Sequence, residues 1–198
     1  MDFFYQALGG QLVVTLPGGL TAGGICYLIC YFWKIRKFSF FRKLGYALLF
    51  LYLGALFSLT IPVILPSGIH LSIESFDASV RSIIWKPFSA SLQIYENCKR
   101  IGNMDVFLRL IGGNFIMLVP LGVLLPLLYP KLTLLKGAVF GVFASAFIET
   151  MQFIGGVLYG TPVRTVEIDD VLLNSAGYLL ALAIICLVRR IFWGKQES

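Results

Sequence analysis

The sequence predicts an all-α integral membrane protein: a bundle of about five transmembrane helices with one outer amphipathic segment. Three observations predict it. The 198-residue chain is 58% hydrophobic and only 13% charged, where a soluble domain carries roughly a quarter charged residues. Apolar segments of spanning length, about 20 residues, recur along the chain. Basic residues collect in alternating connections between them, as the positive-inside rule requires.

The segments run over residues 11–33, 44–66, 107–129, 134–154 and 170–189. They are continuous rather than alternating, which argues against a closed barrel. No basic stretch precedes the first segment and a positive cluster follows it, so it is expected to be a retained anchor and not a cleaved signal. The chain then divides into an N-terminal anchor with its basic loop (1–43), a transmembrane domain (44–189) and a tail (190–198).

Topology is expected from the cations. Lys34, Arg36, Lys37, Arg42, Lys43, Lys131, Lys136, Arg189, Arg190 and Lys195 fall in one set of connections. Arg81, Lys86, Lys99, Arg100, Arg109 and Arg164 fall, more thinly, in the other. The denser set belongs in the cytoplasm, which puts the N-terminus outside and the C-terminus inside. The net charge of +6 mostly reflects this collar meeting anionic headgroups, not a nucleic-acid surface.

The first span contains GGLTAGG (18–24), which fits close helix packing. Between the second and third spans lies the long outer connection, 67–106. Ile69, Ile73, Phe76, Val80, Ile83 and Ile84 recur there at helical spacing, with Glu74, Asp77 and Arg81 between them. An amphipathic helix on the outer surface, or capping the bundle, is expected. Pro87 should end it. In the fourth span Gly137, Gly141, Ser145 and Glu149 fall every four residues, and Gln152 joins the same face. Small residues mark a packed face, so Glu149 should point into the bundle. With a helix ending near residue 154, Glu149 would lie about 7 Å from that end. In the fifth span Asp170, Asn174 and Gly177 share a face, and the third carries Arg109 and Asn114 near its outer end. His70, the only histidine, is expected at the surface. The four cysteines show no metal-ligand spacing and read as small apolar fillers.

Asn114, Glu149, Gln152, Arg164, Asp169, Asp170 and Asn174 thus come from three spans and one loop, all toward the outer side of the expected topology. Polar side chains at membrane depth are costly and usually mark function. The economical expectation is a polar cavity open to the outside or to the outer leaflet.

These residues also carry a resemblance. GNFIMLVPLG (113–122), FIETMQ (147–152) and RTVEIDDVLLNSAGY (164–178) resemble the three signature blocks of the VanZ-like family, and WKPF (85–88) resembles the Pro-Phe element before them. The resemblance spans roughly residues 45–185. The family's asparagine matches Asn114, its Pro-x-Gly matches Pro120 and Gly122, and its Glu-x-x-Gln matches Glu149 and Gln152. Its arginine matches Arg164, and its acidic pair and asparagine match Asp169, Asp170 and Asn174. Leu118 stands where the family usually has Phe, and Glu167 where Asp is commoner. The family is named for a protein linked to teicoplanin resistance in Gram-positive bacteria. The resemblance therefore implies a bacterial cell-envelope protein with a role in glycopeptide response.

Three kinds of chemistry fit the cluster. It could be structural glue, with Arg164 pairing Asp169 or Asp170 and the amides bonding across helices, although such bonds contribute only about 0.6–2 kcal/mol each. It could bind a lipid-linked wall precursor, a polyprenyl phosphate or the acyl tail of a lipoglycopeptide. Arg164 and Arg109 would then hold a phosphate, and the aromatics of 76–95 would cover a chain. It could be an intramembrane enzyme acting on a phosphoester or glycosyl bond, with Glu149 and Asp170 as acid–base groups or, with Asp169, as ligands to Mg²⁺. The sequence assigns no cofactor, and no Ser/His/Asp set appears.

Overall fold

A computed structural model of the chain describes residues 5–8, 11–60, 72–159 and 165–193. His70 and Arg164 lie outside the described residues. Apart from one short antiparallel hairpin, β1 (Tyr5–Leu8) and β2 (Gln11–Val14), the described elements are helical. Among the described residues, five helical stretches are long and apolar enough to cross a membrane. The chain is a multi-pass membrane protein that associates with the lipid bilayer.

The chain separates into two compact units. The first comprises Met1–Ile83 and Ile148–Val166. Its α1 (Leu16–Trp33) starts later than the expected residue 11. Gln11–Val14 is extended, as its β-branched pair favours, and the Thr15 hydroxyl accepts from Gly18 N at 3.2 Å to cap the helix. A 3-10 turn, Ile35–Lys37, leads to α2 (Phe40–Thr60). The glycines of α1 are there for contact. A Cβ at Gly19 would sit 2.3 Å from the Gly54 carbonyl oxygen, and one at Gly23 2.3 Å from that of Phe50. Backbone thus meets backbone, as small residues permit in membranes.

Helix α3 (Ile73–Arg81) is shorter than the expected amphipathic stretch. Its start is set by a reciprocal cap, Ser75 N to Ser72 Oγ (3.0 Å) and Ser72 N to Ser75 Oγ (3.2 Å).

The second unit comprises Ile84–Phe147 and Glu167–Ser198. The preceding helix α3 stops at Arg81, ahead of Pro87 where the break was expected. Pro87 instead sits in the turn that leads to a further helix, α4 (Ser89–Ile101), which closes on Gly102, whose φ of 75° suits glycine. The third span is not one helix. It divides into α5 (Asp105–Met117) and α6 (Val119–Leu128) at Leu118. Pro120 offers no N–H and its ring crowds the carbonyl four residues back, so the ladder cannot run through. Helix α6 ends under Arg189, whose guanidinium donates to the carbonyls of Pro126 (3.1 Å) and Pro130 (2.6 Å). A cation at a helix C-terminus also complements its dipole.

Helix α7 (Leu134–Tyr159) runs five residues past the expected end, and α8 (Ile168–Trp193) extends both ends of the fifth span. Glu149 therefore lies about 15 Å from the end of α7 at 1.5 Å per residue, near mid-helix and not one turn below its mouth. In the second unit α8 is the central element. A Cβ at Gly122 would meet the Tyr178 carbonyl oxygen at 2.5 Å, and one at Gly141 would enter the Tyr178 ring. Gly137 faces Leu182. The small-residue face of α7 is thus used within one chain. Of the cysteines, Cys98 is buried as a filler should be, whereas Cys26 is exposed.

Candidate functional site

The start of α8 carries the cluster. Ile168 N donates to Ile84 O at 3.0 Å, and Ile84 and Glu167 form an isolated parallel bridge. That bridge pins the entry of α8 to the segment before α4. One residue on, Asp169 is buried. Its Oδ1 accepts from Phe88 N, and its Oδ2 accepts from Ser91 N (3.0 Å) and Ser91 Oγ (2.6 Å). Phe88 is the N-cap position of α4 and Ser91 its third residue. Asp169 therefore caps α4 from another helix, satisfying N–H groups that every helix start leaves open and placing a negative charge at the positive end of the dipole.

The Pro-Phe element explains itself here. Phe88 has φ 62°, the one left-handed non-glycine among the described residues. That backbone costs roughly 1–2 kcal/mol for an L-residue. It turns the Phe88 N–H toward the Asp169 carboxylate, a charge-assisted acceptor that offsets the cost.

Asp170 turns the other way. Asn114 Nδ2, on α5, donates to Asp170 Oδ1. One turn further along α8, Asn174 is 0% exposed, and among the described residues neither its Oδ1 nor its Nδ2 has a hydrogen-bond partner. The hydroxyls of Ser175 and Tyr178 share that condition. Ser145 Oγ, on α7, donates to Val171 O at 3.2 Å. A polar seam thus runs down α8 from Asp170 through Asn174 to Tyr178, walled by Gly177 on Phe115 and by Gly141 on the Tyr178 ring. An amide with both a donor and an acceptor unmet in an apolar interior is expensive, at about 1–3 kcal/mol per group. Such a group requires a polar partner.

The sequence-predicted residues divide accordingly. Asn114, Asp169, Asp170 and Asn174 gather in the second unit. Glu149 and Gln152 are both buried on the stretch of α7 that belongs to the first unit. Arg109 is exposed on α5. Among the described residues no three His, Cys, Asp or Glu side chains gather as they would around a metal ion. Sequence reasoning did not single out Ser91 or Tyr178. Tyr178 carried a signal, since it follows Asn174 by four residues on the same helix face. Ser91 carried none, because its role depends on a contact 78 residues away.

Glu167 lies just before the membrane-spanning part of α8 and is half-buried. Burial, then the negative charges of Asp170 and Asp169, push its carboxyl up to about 7. The folded chain therefore binds this proton more tightly than an ordinary carboxyl near 4.5. Its contribution to stability is complete below that value and is lost as pH rises toward 7. Glu167→Gln should flatten the decline of Tm in detergent between about pH 5 and about pH 8 and raise Tm at the upper end. An unchanged slope would show that the pH dependence arises elsewhere.

No curated protein and no solved structure matches the chain. A family model described as VanZ/LLP1 does match, over residues 46–189. The aligned range takes in the Pro-Phe turn, the helix-capping Asp169, the Asn114–Asp170 pair and the buried Asn174. The chain belongs to the VanZ-like family of membrane proteins.

Proposed function

We propose that this protein contributes to resistance against teicoplanin and related lipoglycopeptides in a bacterial cell membrane. It would do so by binding the polar part of an amphiphile, either a lipid-linked wall precursor or the drug itself, at the seam on α8. The N-terminus would lie outside and the C-terminus in the cytoplasm, as the distribution of cations favours. The seam would then open toward the outer leaflet.

One observation carries the reading. Asn174 is fully buried with its amide donor and acceptor both unmet among the described residues, next to the ordered Asn114–Asp170 pair. A ligand hydroxyl or amide would satisfy both ends of Asn174, and Tyr178 and Ser175 add hydroxyls on the same helix. Asp169 supports the site by fixing α4 against the start of α8. We also propose Arg164, Glu149 and Gln152, taken from the sequence pattern alone, as ligand-binding residues.

Susceptibility tests the reading. In a sensitive Gram-positive host, wild type should raise the teicoplanin tolerance of the culture and leave vancomycin tolerance nearly unchanged. Asn174→Leu and Asp170→Asn, at matched membrane levels, should each weaken ligand binding about tenfold, the equivalent of one lost hydrogen bond of about 1.4 kcal/mol. Protection should fall accordingly. Full protection by Asn174→Leu would remove the seam from the function. No protection by wild type would separate this chain from the resistance role.

A further inference from the structure

The amphipathic pattern of α3 has an unusual orientation. The buried side chains of α3 are Ser75 and Ser79, 3% and 2% exposed, whereas Ile73 is 83%, Phe76 50% and Val80 41% exposed. In an ordinary surface helix of a soluble protein the apolar stripe faces the core. Here small polar residues do.

At about 100° per residue, three stripes separate. Ile73, Phe76 and Val80 fall within an arc of about 60°. Glu74, Asp77 and Arg81, all exposed, fall within a second arc of similar width. Ser75 and Ser79 form the third. The stripe centres stand roughly 100–150° apart around the helix. A helix with water on one side and protein on the other has no use for three. A helix resting at the edge of a membrane bundle has three neighbours: protein, hydrocarbon and water.

Two further features agree. The nine residues of α3 measure about 14 Å, far short of the roughly 30 Å hydrocarbon core, so the helix cannot span. Its roll is also held. Phe76 meets Phe153 edge-on with ring centroids 6.1 Å apart, and Arg81 Nε folds back to the Asp77 carbonyl at 3.3 Å along the charged stripe.

We propose that α3 lies in the plane of the bilayer surface, with Ile73, Phe76 and Val80 inserted among acyl chains and Glu74, Asp77 and Arg81 in water. The partner is the lipid–water interface. Because the polar stripe holds two acids and one base, insertion is driven by apolar burial and needs no anionic lipid.

The native protein tests this without substitution. It is reconstituted in phosphatidylcholine vesicles that contain a phosphatidylcholine with a photoactivated diazirine near the glycerol end of one acyl chain. A water-soluble diazirine is used in a parallel sample. Labelled positions are read by mass spectrometry, with the exposed Phe32 of α1 as the lipid-facing standard. The lipid probe should label 73, 76 and 80 several-fold more than 74, 77 and 81, and the aqueous probe should show the reverse. Adding phosphatidylglycerol should leave the pattern unchanged. Equal aqueous labelling of both stripes would place α3 in water and overturn the proposal. Protection of 73, 76 and 80 from both probes would overturn it too, by showing that protein, such as a second copy of the chain, covers the apolar stripe.

Discussion

Gly177→Ala should destabilise this protein more than any other single-methyl change in the second unit. A Cβ built at Gly177 would lie 1.7 Å from the Phe115 carbonyl oxygen, 2.8 Å from its carbonyl carbon and 3.3 Å from Val119 Cγ2. Two of the three are backbone atoms, which have no rotamer to escape through. Helices α5 and α8 would have to part by more than an ångström. That movement would also loosen Gly122 from the Tyr178 carbonyl oxygen and pull Asn114 from Asp170. Overpacking costs about 1–3 kcal/mol and occasionally more, and the backbone clash places this case at the upper end. Gly112 and Gly113, on α5, provide the control. Neither has anything within 4 Å of a built Cβ, so alanine there should be neutral or up to about 1 kcal/mol stabilising through helix propensity. The measurement is Tm and membrane yield of the three variants in one detergent. If Gly177→Ala melted with Gly112→Ala, the close approach of α5 and α8 would be wrong.

Asp169→Ala is expected to have the next largest effect, by a different mechanism. The change removes one carboxylate and strands three donors: the N–H groups of Phe88 and Ser91 and the Ser91 hydroxyl. A lost helix cap costs about 0.5–2 kcal/mol, and each buried donor left without a partner about 1–3 kcal/mol. Some of these donors will find water, so a net loss of about 2–4 kcal/mol is expected. The loss should be local first. Without its acceptor, Phe88 has no reason to keep φ at 62°, and the start of α4 should fray. Limited proteolysis should cut the 85–104 region of Asp169→Ala well before wild type. Asp169→Asn keeps one acceptor oxygen and should fall between the two. Phe88→Gly in the Asp169→Ala background should recover part of the stability, since glycine adopts the left-handed conformation without penalty. If Asp169→Ala left both Tm and cleavage unchanged, the cap would be incidental.

Some of this structure was legible in residues 1–198 alone. Five long apolar runs were enough to read five membrane-crossing stretches, because hydrocarbon admits only segments that satisfy their own backbone hydrogen bonds. GGLTAGG and the glycine face of α7 signalled close packing, since at those places a side chain would hold helices apart. Asn114, Asp169, Asp170 and Asn174 drew notice as polar groups in an apolar setting.

Other features depended on contacts distant in sequence. The period of apolar residues could not show that Pro120 divides the third span at Leu118, because proline is tolerated in many membrane helices. The pattern of α3 identified an amphipathic helix, but only its packing showed that serines face the protein and the apolar stripe faces outward. Two adjacent aspartates looked alike on paper. The structure separates them: Asp169 caps α4 across 78 or more residues, while Asp170 pairs with Asn114. The physical reason is common to these cases. Hydrophobic length and small-residue spacing act along one segment and are written in it. Which donor meets which acceptor, and which face of a helix meets protein, lipid or water, depends on what the rest of the chain brings alongside.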